Sequence, residues 1–235
     1  MKPLEDYSSI RGFCYSGGCR VSGEQLKREL GYAGSLRLNS TRIWLSERDY
    51  RKDPAAFLSK LTAFVETAWE AGISTMPILF NGNGLHPGDL EQGYEEYAEY
   101  YIKDVVQALR GEPGLLMWDV MNEPSCNDYI IEAKGEERKA RWEKVNEFLR
   151  RSCDKVRKMD SVNAVTIGHT YMGDVEDTVG EVDVFSFHDY LPVRRQIEES
   201  YLAAEELSAR VGKPFLNSEL CCLCRANPYD LALDI

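Results

Sequence analysis

The chain has 235 residues, of which 43% are hydrophobic and 29% are charged, a composition typical of a globular protein large enough to bury a core. Its formal net charge of −11 argues against nucleic acid or an anionic membrane as a partner, because both bind basic surfaces. No run approaches the roughly 20 apolar residues of a membrane span, and the N-terminal MKPLEDYSSI lacks a signal peptide's apolar centre. We therefore expect a cytoplasmic protein, or a secreted one if a signal segment has been removed.

Short apolar strands alternate with amphipathic helices along the chain. The predicted strands are residues 10–15, 37–45, 73–80, 115–121, 164–168, 182–187 and 214–218. The predicted helices are residues 22–30, 54–71, 94–110, 136–159 and 194–211, and another begins in the final NPYDLALDI. The helix over 54–71 has the clearest boundaries, because Asp53 can cap it, Pro54 suits its first turn and Gly72 can end it.

This alternation predicts a parallel sheet covered by helices, either closed as a (β/α)8 barrel or open and doubly wound. An open nucleotide-binding sheet normally has a glycine-rich phosphate loop after its first strand, and YSGGC at residues 15–19 is too weak a match. We therefore predict an α/β fold of the TIM-barrel type, forming one catalytic domain over residues 1–235. Only about seven βα units are recognisable, so we expect a C-terminally incomplete barrel that can self-associate through its open seam.

The seven cysteines are an odd number, and their spacing matches neither a disulfide scaffold nor a paired CxxC zinc motif. Cys221, Cys222 and Cys224 crowd together, but adjacent strand residues point to opposite faces, which disfavours a shared ion. We interpret the cysteines as reduced thiols that act as small apolar residues, and we expect no metal site.

In a barrel of this type the chemistry lies at the C-terminal ends of the strands. The polar or aromatic residues at or after these ends are Arg42 and Trp44, Asn81 and His86, Asn122 and Glu123, His188 and Tyr190, and Glu219. Glu123 and Glu219 are thereby opposed across one mouth. Such a pair suits glycosidic bond hydrolysis, in which one carboxyl group donates a proton and the other is an ionised nucleophile or base. An arginine near Glu219 would keep that carboxyl group ionised through its charge and hydrogen bonding.

Three motifs carry a resemblance to a known family. Asn122-Glu123-Pro124 after an apolar strand, His188-x-Tyr190 after a later strand and Ser218-Glu219 after the next resemble the retaining glycoside hydrolases of clan A. The chain is most similar to glycoside hydrolase family 5, the cellulase and mannanase family, from the first strand to the seventh.

The resemblance implies a role for each motif residue. Glu123 corresponds to the general acid/base, Glu219 to the nucleophile and Arg42 to the arginine that contacts the nucleophile, although Arg37 begins the same segment. Asn122 corresponds to the sugar-binding asparagine, and His188 and Tyr190 match the pair after strand six. The family acts through a covalent glycosyl-enzyme and uses no cofactor, and retention requires carboxyl groups about 5–5.5 Å apart.

Structural alternatives remain open at this stage. Glu123 and Glu219 could bond loop amides, and Arg42 could be a structural ion-pair partner. His188 could be a core histidine whose hydrogen bonds are all made within the protein. His86 could touch substrate or be merely exposed, and Trp44 could stack on a sugar or pack at the rim.

The alternative function is a catalytically impaired barrel that binds carbohydrate or acts as an assembly subunit. A Schiff-base enzyme is disfavoured, because no lysine stands at a predicted strand end. The substrate class stays open among cellulose, mannan, xylan and small β-glucosides.

Overall fold

The computed structural model describes residues 7–21 and 23–220. Seven parallel strands form one sheet in chain order: β1 (Gly12–Tyr15), β2 (Ser40–Trp44), β3 (Ser74–Asn81), β4 (Met117–Asn122), β5 (Ala164–His169), β6 (Phe185–Asp189) and β7 (Phe215–Leu220). The α-helices are α1 (Gly23–Ser35), α2 (Glu47–Lys52), α3 (Pro54–Glu70), α4 (Gln92–Leu109), α5 (Asp128–Ile131), α6 (Gly135–Met159) and α7 (Arg194–Val211). The α/β fold of the TIM-barrel type, nearly closed, is thereby confirmed.

Local sequence explains the boundaries of α3. The Asp53 side chain accepts a hydrogen bond from the Ala56 amide (3.0 Å), and Pro54 occupies the first turn. Gly72 follows with a φ of +78°, a left-handed conformation that glycine adopts without the steric cost of a Cβ. The predicted signals at both ends of this helix are confirmed.

Several predicted boundaries need correction, and the short helix α5 was not predicted. The second strand begins at Ser40 rather than at residue 37, because Arg37 has a φ of +59° in the turn before it. The sixth strand begins at Phe185 rather than at residue 182, because the 3-10 turn Val179–Glu181 ends directly before residue 182 and the chain becomes extended only after it. Helix α2, capped by the Ser46 side chain, was not predicted. Cys221, Cys222, Cys224 and the predicted last helix lie outside the described residues.

The inner face of the sheet changes from apolar to polar along the strands. At the end where the strands begin, a buried apolar cluster fills it, made of Tyr7, Met76, Met117, Ala164 and Val184. Further along, the inner face carries buried polar side chains, including Arg42, Asp119, Thr166 and Ser186. A larger apolar core, which includes the fully buried Trp118, Phe64 and Tyr101, packs between the strands and the helices. The apolar end supports the sheet, and the polar end is available for chemistry.

Two strands contain one extra residue just before their glutamates. From Asp119 to Asn122, β4 advances three residues while its partner β5 advances only two. In the same way, β7 advances two residues to reach Glu219 while β6 advances one, from Phe187 to His188. Bulges of this kind re-aim side chains and are common beside active sites. In β4 the bulge turns both Asp119 and Asn122 towards Arg42, although strict alternation would place residues three apart on opposite faces.

The strands β1 and β7 border the seam of the barrel. No backbone pairing joins them in the described part of the chain, but the Cys14 thiol donates to the Ser218 carbonyl oxygen at 3.7 Å. A cleft along this seam is lined by side chains of both strands and reaches Tyr190 and Glu219. Within the described ranges, no helix is both long enough and apolar enough to cross a membrane.

Candidate active site

Glu123 stands directly after β4 in an uncommon backbone conformation. Its φ is +47°, which is costly for a residue with a side chain and is typical of functional sites when neighbouring structure enforces it. Its amide donates to the Gly168 carbonyl oxygen at 2.7 Å, and its own carbonyl accepts from the Cys126 amide at 3.0 Å. These bonds fix the direction in which the Glu123 side chain leaves the strand.

The carboxyl groups of Glu123 and Glu219 meet at His188. The His188 Nδ1 lies 3.0 Å from Glu123 Oε1 and 3.6 Å from Glu219 Oε2. One oxygen of each glutamate and one ring nitrogen of His188 all lie within 4.8 Å of one another. Both side chains are nearly buried, at 7% exposed for Glu123 and 9% for Glu219. The predicted convergence of the two carboxyl groups over one mouth is therefore observed.

Glu219 is surrounded by hydrogen-bond donors and positive charge. The Tyr190 hydroxyl donates to Glu219 Oε2 at 2.6 Å, and Arg42 Nη1 donates to Glu219 Oε1. Burial alone would lower the pKa of Arg42, but the adjacent Asp119 and Glu219 carboxylates raise it above its usual value. Arg42 is thus a permanent cation that pairs with Glu219.

The other oxygen of Glu123 faces an amide network. Asn83 Nδ2 donates to Glu123 Oε2 at 3.1 Å. Asn122 Nδ2 donates to Asn83 Oδ1 and to Asn81 Oδ1, each at 3.0 Å, while Asn122 Oδ1 accepts from Arg42 Nη2 at 3.0 Å. The network connects the two carboxyl groups through neutral donors on the Glu123 side and a cation on the Glu219 side.

Two predicted site residues lie outside the shared contacts of the glutamates. Trp44 is half-buried at the end of β2, with the Arg42 guanidinium 5.2 Å from its ring centroid. His86 is exposed, and its amide donates to Asp89 at 2.8 Å. Arg37, in the turn before β2, is exposed and is not part of the site.

Two further residues join the site without having been singled out in the sequence. Asp119 is completely buried and accepts from Arg42 Nε at 2.9 Å and from Arg42 Nη2 at 2.7 Å. The signal for it was a carboxylate inside an apolar run, which is costly unless it is paired. Asn83, which bonds Glu123, carries no comparable signal, because it lies in a polar loop with several amides and glycines.

The cluster of Glu123, His188 and Glu219 has ligand atoms close enough together to hold a metal ion. However, Glu219 already pairs with Arg42 and accepts from Tyr190, so a bound cation would lie beside an existing positive charge. The contacts therefore fit an acid–base pair better than a metal centre.

Comparison with known proteins identifies a family and similar folds for the chain. The chain matches the family described as Cellulase (glycosyl hydrolase family 5) over residues 30–218. A comparison with curated protein sequences finds no match. Among solved structures, the chain is similar to an endo-1,4-β-mannanase from Rhizomucor miehei, with a TM-score of 0.71, 15% identity, and coverage of 90% of this chain and 77% of that one.

Larger enzymes also contain a similar region. A β-glucuronidase from Bacteroides uniformis has a TM-score of 0.73 at 15% identity, covering 95% of this chain and 28% of that one. A GH2 β-galacturonidase from Eisenbergiella tayi has a TM-score of 0.64 at 18% identity, covering 90% of this chain and 35% of that one. The chain thus spans about a third of the length of such structures, and at these identities the likeness establishes the fold alone.

Proposed function

The chain belongs to glycosyl hydrolase family 5, and on that basis we propose that it hydrolyses β-linked glycosides with retention of anomeric configuration. The family implies a carbohydrate substrate and the retaining glycoside hydrolase fold. The proposal extends this to two named residues, Glu123 as general acid/base and Glu219 as nucleophile, and to an endo-β-glycanase or β-glycosidase activity. It requires no metal or cofactor, because both reacting groups are side chains of the protein.

In the first step, the Glu219 carboxylate attacks the anomeric carbon while the Glu123 carboxyl group donates its proton to the glycosidic oxygen. The bond between the anomeric carbon and that oxygen breaks, the leaving group departs as an alcohol, and an ester joins Glu219 to the sugar. In the second step, Glu123 removes a proton from water, the water oxygen attacks the anomeric carbon, and Glu219 is released as a carboxylate.

The carboxyl separation is the single observation that carries the proposal. One oxygen of Glu123 lies within 4.8 Å of one oxygen of Glu219. Retaining glycosidases place their carboxyl groups about 5–5.5 Å apart, whereas inverting enzymes need about 6.5–9.5 Å to admit a water molecule. The short separation supports direct attack by Glu219 over activation of a water molecule in the first step.

The surrounding residues support the two roles. Arg42 and Tyr190 donate to Glu219 and stabilise the anion that attacks. Asn122 bonds Arg42 on the Glu219 side and Asn83 on the Glu123 side, and the remaining lone pair of its Oδ1 can accept a hydrogen bond from a sugar hydroxyl. We include His188 as the residue that orients Glu123, and Trp44 and His86 as sugar contacts further from the reacting carbon.

A second candidate function is carbohydrate binding or assembly without turnover. The seam favours it, because β1 and β7 share no backbone pairing among the described residues and unpaired edges can recruit another chain.

Measurement of hydrolysis separates the two candidate functions. We expect hydrolysis of an aryl β-glycoside from a panel of glucosides, mannosides and xylosides, with activity reduced at least 1,000-fold in Glu219→Ala. Sugar binding without any hydrolysis would favour the second candidate.

A further inference from the structure

Arg42 is held from two sides by carboxylates on different strands. Its Nη1 donates to Glu219, while its Nε and Nη2 donate to the same oxygen of Asp119 at 2.9 and 2.7 Å. The guanidinium is planar, with its donors in fixed directions. Fixing Nε and Nη2 against Asp119 therefore also fixes the direction of Nη1.

Asp119 is itself immobilised in the sheet. It is completely buried on β4, and its second oxygen accepts from the Gly168 amide at 3.1 Å. Burial raises the pKa of Asp119 above its ordinary value, and the Arg42 charge opposes that effect. Both oxygens of the carboxylate are thus used, one by Arg42 and one by the neighbouring strand.

Gly168 leaves the space in which this pair fits. A Cβ at this position would stand 2.5 Å from Arg42 Nη2, 2.9 Å from Asp119 Oδ2 and 3.2 Å from His188 Nε2. Since real Cβ atoms do not approach so closely, any larger residue would displace the guanidinium or its partner. The Arg42–Asp119 pair therefore fits beside β5 only because position 168 has no side chain.

We propose that Asp119 is a positioning residue, which holds the Arg42 guanidinium so that it pairs with the attacking carboxylate of Glu219. The inference rests on the proposed function for its kinetic consequence. Asp119 acts through Arg42 on the nucleophile and leaves proton donation by Glu123 unaffected.

The closest test replaces Asp119 with asparagine, which has the same shape and no charge. A carboxamide has one acceptor oxygen where the carboxylate has two, so either Arg42 or the Gly168 amide then faces an NH2 group. The matched control is Asp160→Asn, because Asp160 is also buried and accepts from Trp118 Nε1 at 2.9 Å but has no contact with Arg42 among the described residues.

Substrates with different leaving groups distinguish the two reacting carboxyl groups. A 2,4-dinitrophenyl glycoside needs little acid assistance, so its kcat/KM reports attack by the nucleophile, whereas a phenyl glycoside also needs the proton donor. We expect Asp119→Asn to lower kcat/KM about 10- to 100-fold for both substrates and Asp160→Asn to change it less than threefold. A loss confined to the phenyl glycoside, or an equal loss in both variants, would overturn the proposal.

The dependence on Arg42 is tested by a double variant. Lysine cannot bridge two carboxylates in the same geometry, so Asp119→Asn in an Arg42→Lys background should lower kcat/KM by less than threefold further. Fully additive losses would show that Asp119 acts independently of Arg42 and would overturn the proposal.

A measurement without substrate keeps the inference separate from the proposed activity. Hydrogen exchange at Arg42 Nε, followed by NMR, should become at least 10-fold faster in Asp119→Asn and stay unchanged in Asp160→Asn. Equal exchange rates in the two variants would contradict the positioning role, even if no glycoside is hydrolysed. If Asp119→Asn does not fold, Gly168→Ala tests the same position by crowding, with Gly173→Ala, where a Cβ meets nothing within 4 Å, as the control.

Discussion

Gly82 packs directly on the backbone of Glu123: a Cβ at Gly82 would stand 2.3 Å from the Glu123 carbonyl oxygen and 2.7 Å from that of Asn122. The loop after β3 thus lies against the peptide group that leads into the proposed acid/base. Because both partners at this contact are backbone, neither can rotate away as a flexible side chain does. The contact also places Asn83, the next residue, within 3.1 Å of the Glu123 carboxyl group.

We therefore expect Gly82→Ala to impair catalysis by moving this loop away from Glu123. Overpacking of this kind typically costs about 1–3 kcal/mol of unfolding free energy, and kcat/KM for a phenyl glycoside should fall roughly 10- to 100-fold. The control is Gly84→Ala in the same short turn, where a Cβ meets nothing within 4 Å. If both variants retain the activity of the unmodified protein, the loop does not position Glu123.

Tyr190→Phe removes the hydroxyl that donates to Glu219 Oε2 at 2.6 Å. A hydrogen bond to a charged group contributes about 1.5–3 kcal/mol, so we expect kcat/KM to fall about 10- to 100-fold. The fall should be similar for 2,4-dinitrophenyl and phenyl glycosides, because the bond acts on the nucleophile. Tyr171→Phe, at a side chain that is 61% exposed, should leave both values unchanged. Unaltered kinetics in Tyr190→Phe would remove Tyr190 from the site.

His169 provides a prediction about stability that is independent of catalysis. Complete burial lowers the pKa of His169 to about 3, and the nearby His188 adds to the effect. The unfolded chain has an ordinary histidine that gains a proton below about pH 6.5, while the folded protein does not. Stability is therefore retained above about pH 6.5 and is lost progressively as the pH falls towards 3.

His169→Gln should remove this part of the acid sensitivity. Between pH 7.5 and pH 5.0 the unmodified protein should lose about 2 kcal/mol more unfolding free energy than the variant. Urea unfolding at the two pH values measures the difference. The glutamine can still bond Thr178, which His169 Nε2 meets at 2.7 Å. Parallel pH dependences in the two proteins would show that His169 is protonated in the folded state.

The part of the site that the sequence predicted is the part that follows apolar strands. Glu123 and Glu219 could be located because each ends a run whose burial is evident from its composition, and parallel strands bring such ends to one edge. The order of the strands followed from the same alternation. These features depend on hydrophobic periodicity, which is the strongest signal in a single sequence.

The geometry around those glutamates could not be predicted in the same way. The bulge between Asp119 and Asn122 leaves no trace, because a strand buried on both faces has no alternation of polar and apolar residues to interrupt. Without the bulge, Asp119 and Asn122 would be assigned to opposite faces. The contact of Gly82 with Glu123 joins two loops distant in sequence, and no local pattern reports such an approach.

His86 shows the converse limit. A histidine in a glycine-rich loop after a strand is a plausible substrate contact, yet loop conformation is set by turns such as Pro87–Leu90. There the Asp89 amide donates to the His86 carbonyl oxygen at 2.9 Å, and the His86 amide donates to the Asp89 carboxylate at 2.8 Å. The structure leaves His86 exposed, and its role in sugar binding stays a prediction.

Covalent trapping tests the central claim most directly. A panel of 2-deoxy-2-fluoro glycosides with 2,4-dinitrophenyl leaving groups slows release of the glycosyl-enzyme, so that the ester can be located by peptide mass mapping. We predict an adduct on Glu219 with one sugar class and no adduct at that position in Glu219→Gln. Substrate hydrolysis with no adduct and with inversion at the anomeric carbon, or an adduct on any other residue, would contradict the account.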